Sequence, residues 1–226
     1  MSAPRPHIPV RLVAASEPRA TDEELGRALM AGSDWAISET WHRFAPAVTM
    51  LAKRALGSQS DAEDVAQEAF HHIFAKAKAL REPERLRSYI FSFAIRTIKS
   101  ELRSRRARAW LSFHRPETLV ELGTELTDIE SRDVVRKFYS LLDRLAPRHR
   151  LVFVLRYLEW MTFEEVSAHM QLSVSTVRRA LEGAMSKLSK WVGSDPDLTE
   201  FLSKFADGGG QADGGGQDEG GCQDEG

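Results

Sequence analysis

Apolar residues recur along this chain at intervals of three and four, the spacing that keeps side chains on one face of an α-helix. A helix-rich stretch runs from about 21 to 106. Thr21 and Glu24 have capping-box spacing, and Leu25, Leu29 and Met30 form the stripe behind them. Ala-Gly-Ser-Asp at 31–34 and Leu-Gly-Ser-Gln-Ser-Asp at 56–61 break the periodicity. Asp61 suits the cap of the next helix, which carries Glu63 and Asp64 in its first turn and packs through Val65, Ala69 and Phe70. Pro83 marks a loop. Residues 85–108 then place Ile90, Phe91, Ala94, Ile98 and Leu102 on one side.

The stretch 107–133 is acidic and weakly periodic, and reads as a flexible linker. Helical spacing returns at Val134, Val135, Phe138, Leu141, Leu142 and Leu145, and Pro147 ends that helix. Residues 148–160, 162–170 and 174–191 each fit a further helix. Strand signals are scarce, with no sustained alternation and no Asn-Gly turn. The pattern predicts an all-α protein with helical domains at 21–106 and 134–192. A loose arm with four Pro (1–20) would precede them and a tail (193–226) would follow. From Asp207 onward, nine of twenty residues are Gly and six are acidic, a composition expected to stay disordered.

Composition narrows the class. With 226 residues and 42% hydrophobic content the chain supports one or two small cores. Cys222 is the single cysteine, so there is no disulfide framework and a reducing compartment is expected. No apolar run approaches the ~20 residues that span a bilayer. The first twenty residues carry Pro and charge where a signal peptide needs an apolar stretch. Those features lead us to expect a cytoplasmic protein without membrane insertion. Catalytic signals are weak: His71 and His72 are adjacent and point about 100° apart on a helix, no Cys/His spacing suggests zinc, and no phosphate loop is present. No enzyme activity, metal or cofactor is expected. His42, His114, His149 and His169 read as surface or satisfied polar residues. Trp35, Trp41, Trp160 and Trp191 read as core or interface anchors.

The formal net charge of −2 hides strong segregation. Residues 85–108 hold eight Arg/Lys against Glu101 alone, while 117–133 hold six acidic groups and Arg132. Residues 144–190 hold eight Arg/Lys and four Glu, and 193–226 hold nine acidic groups and Lys204. Charges more than about 10 Å apart are screened at ordinary salt, so these local fields select partners. On a helix, Arg96, Lys99 and Arg103 fall within roughly 60° of one another, opposite the apolar side. Tyr89 and Phe93 land at the edge of that basic face. Cations flanked by rings suit phosphate contact with base stacking.

Two other segments add to this. In 162–191, Thr162 and Glu165 form another capping-box pair, and Val166 and Met170 give an apolar face. A turn at 171–173 leads to a helix with Val177, Leu181, Ala184 and Leu188 on one side. That is a helix-turn-helix layout, whose second helix enters a major groove. Ser173 is its candidate cap, and Ser175, Thr176, Arg178 and Arg179 are its candidate DNA contacts. In DAEDVAQEAF, residues 61–70, Asp64 and Glu68 share a helix face with Asp61 and Gln67 close by. An acidic ridge repels DNA and suits a basic protein surface.

In this order the three elements resemble the extracytoplasmic-function class of bacterial sigma factors, over about 22–106 and 134–192. The resemblance implies that Asp61, Asp64, Gln67 and Glu68 lie where the family grips the clamp of core RNA polymerase. It implies that SYIFSFAIRTIKSELRSRR melts and reads the minus-ten element of promoter DNA, through Tyr89, Phe93, Arg96, Lys99 and Arg103. The loop around 77–88 would receive a flipped-out base. LDRLAPRHRLVFVLRYLEWMTFEEVSAHMQLSVSTVRRAL resembles the domain that reads the minus-thirty-five element and touches the polymerase flap. An anti-sigma factor is a further partner the resemblance admits.

The chain departs from the family pattern at several positions. Gln171 and Ser175 stand where Gly is common. Ala180, Glu182 and Gly183 stand where basic or His side chains are frequent. Glu182 opposes phosphates, and Gly183 costs its helix roughly 1 kcal/mol against Ala. A rival reading is a dimeric helix-turn-helix regulator that acts without polymerase; it has no use for the 61–70 ridge. Two roles fit the acidic tail: a solubilising appendage, or a competitor with DNA for the chain's own basic surfaces.

Overall fold

The structure is a computed structural model that describes residues 20–112, 129–193 and 195–208. The first half contains α1 (Asp22–Met30), α2 (Asp34–Leu56), α3 (Gln59–Ala75) and α4 (Leu86–Ser112). The Thr21–Glu24 capping box closes as the spacing predicts: each side chain accepts from the other residue's backbone N–H. Gly32 and Gly57, at φ 75° and 73°, turn the chain between α1, α2 and α3, where a Cβ would be strained. The cap of α3 is Ser58 and not Asp61. With α2 ended at Gly57, the Ser58 hydroxyl is already placed to accept from the Asp61 N–H at 3.4 Å.

Four helices then close around Leu25, Leu29, Val48, Leu51, Phe70, Ile73, Leu86 and Ile95, all nearly inaccessible. The sequence-expected inner side of α4 is buried in full: Ile90, Phe91, Ala94, Ile98 and Leu102. Short 3-10 turns at Ala77–Ala79 and Pro83–Arg85 carry the chain from α3 into α4. Gly26 lies directly beneath the second turn. A Cβ there would stand 2.5 Å from the Pro83 carbonyl oxygen, so α1 approaches this loop as only glycine permits.

The second half contains α5 (Ile129–Arg144), α6 (Pro147–Phe153), α7 (Phe163–Met170), α8 (Val174–Val192) and α9 (Pro196–Gly208). Helix α6 runs on into a π-helical turn, Val154–Leu158. The linker expected at 107–133 is shorter than its composition suggested, because α4 extends to Ser112 and α5 starts at Ile129. The expected tail also departs from the sequence reading. Residues 196–208 form α9, with Leu198 and Leu202 buried and Phe201 and Phe205 packed against the core. Phe205 stacks on Phe138 at 5.6 Å and meets Phe153 at 5.5 Å and Tyr157 at 6.0 Å. Such aromatic contacts add about 0.5–1.5 kcal/mol each beyond area burial.

Two arginines are buried in this half. Arg150 pairs with Asp143, and Arg156 donates to the Met161 carbonyl at 3.2 Å with its guanidinium 4.8 Å from the Phe163 ring. Trp35, Trp41 and Trp160, read from sequence as anchors, are exposed at 51, 37 and 64%. Trp191 is half-buried under the Arg144 guanidinium, 4.3 Å away.

The halves meet along α4. Arg54 of α2 donates to the Leu158 carbonyl and to Glu159, each at 2.9 Å. Ser92 and His169 hydrogen-bond at 3.2 Å, and Arg106 donates to the Leu145 carbonyl at 3.4 Å. Among the described residues no helix is long and apolar enough to cross a membrane, and no His, Cys, Asp and Glu group could hold a metal.

Candidate nucleic-acid interface

Helix α3 buries Ala62, Val65, Ala66, Ala69 and Phe70 and turns Glu63, Asp64, Gln67 and Glu68 to solvent. The 3.6-residue period does this by itself once the apolar side is fixed. Asp61 stands apart from the other three named ridge residues. Its carboxylate pairs with Arg105 of α4, which also donates to Glu101 at 3.2 Å and to the Leu56 carbonyl at 3.0 Å. Asp61 thus ties α3 to α4, and the open ridge is Asp64, Gln67 and Glu68. Beside it Trp41 sits edge-on to Phe70 at 4.9 Å, in a shallow groove shared with Pro46, Met50, Lys53 and Glu63.

The cations of α4 differ in their surroundings. Arg105 and Arg108 turn to Glu101, while Arg85, in the turn before α4, pairs with Glu82. Arg96 and Arg103 are exposed and Lys99 is half-buried. None of these three lies within ion-pair distance of a carboxylate among the described residues. Burial, and after it the nearby charges of Arg103, Arg148 and Arg96, pulls the Lys99 ammonium below its ordinary pKa.

The ring edge of this face is built and not loose. Tyr89 and Phe93 pack at 4.9 Å, and the Tyr89 hydroxyl donates to the Lys76 carbonyl at 2.7 Å. Burial raises the pKa of that hydroxyl, with Arg96 opposing. The Arg96 guanidinium lies 5.0 Å from the Phe93 centroid, a cation–π distance. The aromatic and cationic parts of the face therefore hold each other in place.

In the helix-turn-helix, Thr162 and Glu165 close their capping box around the start of α7. The turn is made by Gln171 in the left-handed region, φ 55° and ψ 49°, where a side-chain-bearing residue is strained. Ser173 caps α8 by accepting from the Thr176 N–H at 3.3 Å, and its hydroxyl also meets those of Ser175 and Thr176 at 3.1 and 2.8 Å. Ser175 and Arg179 are exposed. Arg178 lays its guanidinium 4.0 Å from the Phe163 ring, so it braces α8 on α7. Glu182 is exposed on the same helix.

Three basic residues escaped the sequence reading as site candidates. Arg148 at the start of α6 lies close enough to Lys99 to depress its pKa. His149 hydrogen-bonds Lys187 of α8 at 3.4 Å, and burial, Lys187 and Arg148 together lower its pKa. A Cβ at Gly183 would meet the His149 ring at 3.4 Å, ordinary van der Waals contact, so the approach does not require glycine. No local pattern links α4, α6 and α8, so only the tertiary fold brings these cations together.

Comparison with known proteins follows this layout. Residues 40–108 match the family model for sigma-70 region 2, and residues 141–190 match that for sigma-70 region 4. The chain is similar to the RNA polymerase sigma-E factor of Streptomyces coelicolor, 27% identical over 142 residues, covering 63% of this chain and 77% of that one. It is similar to RNA polymerase sigma factor SigV of Bacillus subtilis, 25% identical over 135 residues, covering 60 and 78%. It is also similar to the RNA polymerase sigma-H factor of Pseudomonas aeruginosa, 26% identical over 178 residues, covering 75 and 92%. Two solved structures share the fold, each with a TM-score of 0.54. One is CnrH in complex with the cytosolic domain of CnrY, at 21% identity over 77% of this chain and 98% of that one. The other is the sigma factor RpoE of Bartonella quintana in complex with the anti-sigma factor NepR, at 17% identity over 70 and 97%. With both regions matched in order on one chain, the protein belongs to the sigma-70 family of RNA polymerase sigma factors, in its extracytoplasmic-function class.

Proposed function

We propose that this sigma factor divides promoter recognition among three surfaces. Asp64, Gln67 and Glu68 on α3 dock the clamp of core polymerase, with Asp61 setting the angle between α3 and α4. Tyr89, Phe93, Arg96, Lys99 and Arg103 hold the opened minus-ten strand. Ser175, Thr176, Arg178 and Arg179 meet the minus-thirty-five element. The observation that carries this division is the contrast between an exposed acidic ridge on α3 and a carboxylate-free basic face on α4, two adjacent helices of one domain. Opposite fields on one small domain suit two different partners, a basic protein surface and a nucleic-acid backbone. Bond-making is left to the polymerase. We place the protein in the cytoplasm with its polymerase. An anti-sigma factor is included as a partner, consistent with the complex in which the similar RpoE was solved.

The test is Asp64→Arg combined with Glu68→Arg. Both side chains are exposed, so the fold should survive, with unchanged helical circular dichroism and melting. Binding to core polymerase should fall by at least two orders of magnitude, and run-off transcription with it. Unchanged polymerase binding overturns the clamp assignment.

A further inference from the structure

A cluster of cations forms where the two halves meet. Arg96, Lys99 and Arg103 come from α4, Arg148 and His149 from the start of α6, and Lys187 from α8. Among the described residues, none of the five Arg and Lys side chains has a carboxylate within ion-pair distance. By contrast Arg43, Arg54, Arg105 and Arg150 each meet an acid. Like charges gathered without counter-ions raise the energy of the free protein, and an anionic ligand relieves that repulsion. Burial is the first cause of the lowered pKa of Lys99 and of His149, and the neighbouring cations add to it.

The chain carries its own candidate anion. Residues 209–226 lie outside the described residues and hold Asp213, Asp218, Glu219, Asp224 and Glu225, with no Lys or Arg. Their point of departure is fixed by α9. The Phe205 ring packs on Phe153 at 5.5 Å, and Arg148 lies five residues before Phe153, about 7.5 Å along α6 at 1.5 Å per residue. Eighteen residues reach up to about 60 Å when extended. Attachment to the same molecule gives such a segment an effective concentration on the order of millimolar. Nucleic acid must meet that competition at Arg96, Lys99 and Arg103.

We infer that the acidic segment 209–226 is an intramolecular ligand of the cluster formed by Arg96, Lys99, Arg103, Arg148 and Lys187. It shields the basic face of α4 in the free factor and, by bridging cations from both halves, favours their contact. Nucleic acid displaces it. This goes beyond the promoter-recognition reading and does not depend on the polymerase-docking assignment.

The chain's only cysteine, Cys222, lies within the segment and provides the probe. A nitroxide on Cys222 of the full chain should broaden the amide signals around Lys99, Arg148 and Lys187 at 50 mM salt. At 500 mM salt the broadening should disappear. Replacing the five carboxylates (Asp213→Asn, Asp218→Asn, Glu219→Gln, Asp224→Asn and Glu225→Gln) should also remove it. The same neutral variant should bind a fluorescent single-stranded DNA 20-mer about tenfold more tightly than wild type at 50 mM salt, converging at high salt. No broadening at these residues overturns the inference, as does broadening on another surface. Equal DNA affinity for neutral and wild-type segments overturns it as well. Failure of the clamp variant to affect polymerase binding would leave all these outcomes unchanged.

Discussion

Helices α4 and α8 are both proposed to contact DNA, yet they present charge in opposite ways. On α4 the exposed cations are left open because the acids of that region are used elsewhere: Glu101 and Asp61 hold Arg105, and Arg96, Lys99 and Arg103 keep no carboxylate. On α8 the cations are fewer and partly engaged. Arg178 rests on Phe163, and Glu182 projects from the same helix. The difference teaches that counting Arg and Lys is a poor measure of a DNA surface. What matters is which of them the fold leaves without a nearby carboxylate.

The largest expected effect follows on α4. Arg96→Ala with Lys99→Ala should lower open-complex formation about 100-fold, since charged hydrogen bonds contribute roughly 1.5–3 kcal/mol each. Permanganate footprinting of a cognate promoter would measure it, and full activity would break the contrast. On α8, Glu182→Lys should tighten upstream-element binding about five- to tenfold by replacing a repulsive charge with an attractive one. Mobility shift of the holoenzyme on that element would read the change. Arg179→Ala should cost about 1 kcal/mol there, appreciably less than the α4 pair.

The smallest effect concerns the frame that carries α8. Gln171 pays the left-handed penalty of about 1 kcal/mol that glycine avoids, partly offset by glycine's greater freedom in the unfolded chain. Gln171→Gly should therefore raise stability by about 0.5 kcal/mol in urea unfolding without altering DNA affinity. A loss of stability would show that the Gln171 side chain supports the turn.

The comparison also explains what the sequence could reveal. The inner side of α4, both capping boxes and the helix-turn-helix followed from local spacing, because a helix makes neighbours of residues three and four apart. The partner of Asp61 did not, since Arg105 lies 44 positions away and pairing across helices leaves no periodic trace. Helix α9 was legible in part: Leu198, Phe201, Leu202 and Phe205 keep helical spacing. Averaging them with the Gly-rich residues that follow hid the signal. Trp35, Trp41 and Trp160 are exposed, which removes the core alternative for them and leaves the interface one. Arg148, His149 and Lys187 join the site only through packing of α6 and α8 beside α4.

The unequal weight of the two helices is tested most directly by the salt dependence of holoenzyme binding to a promoter fragment. Each lost phosphate contact should reduce the slope of log K against log salt by about 0.7–0.9. Replacing Arg96, Lys99 and Arg103 by Ala should reduce it by about 2, and replacing Arg178 and Arg179 by less than about 1. A larger reduction from the α8 pair than from the α4 triple would contradict the assignment of most DNA affinity to α4.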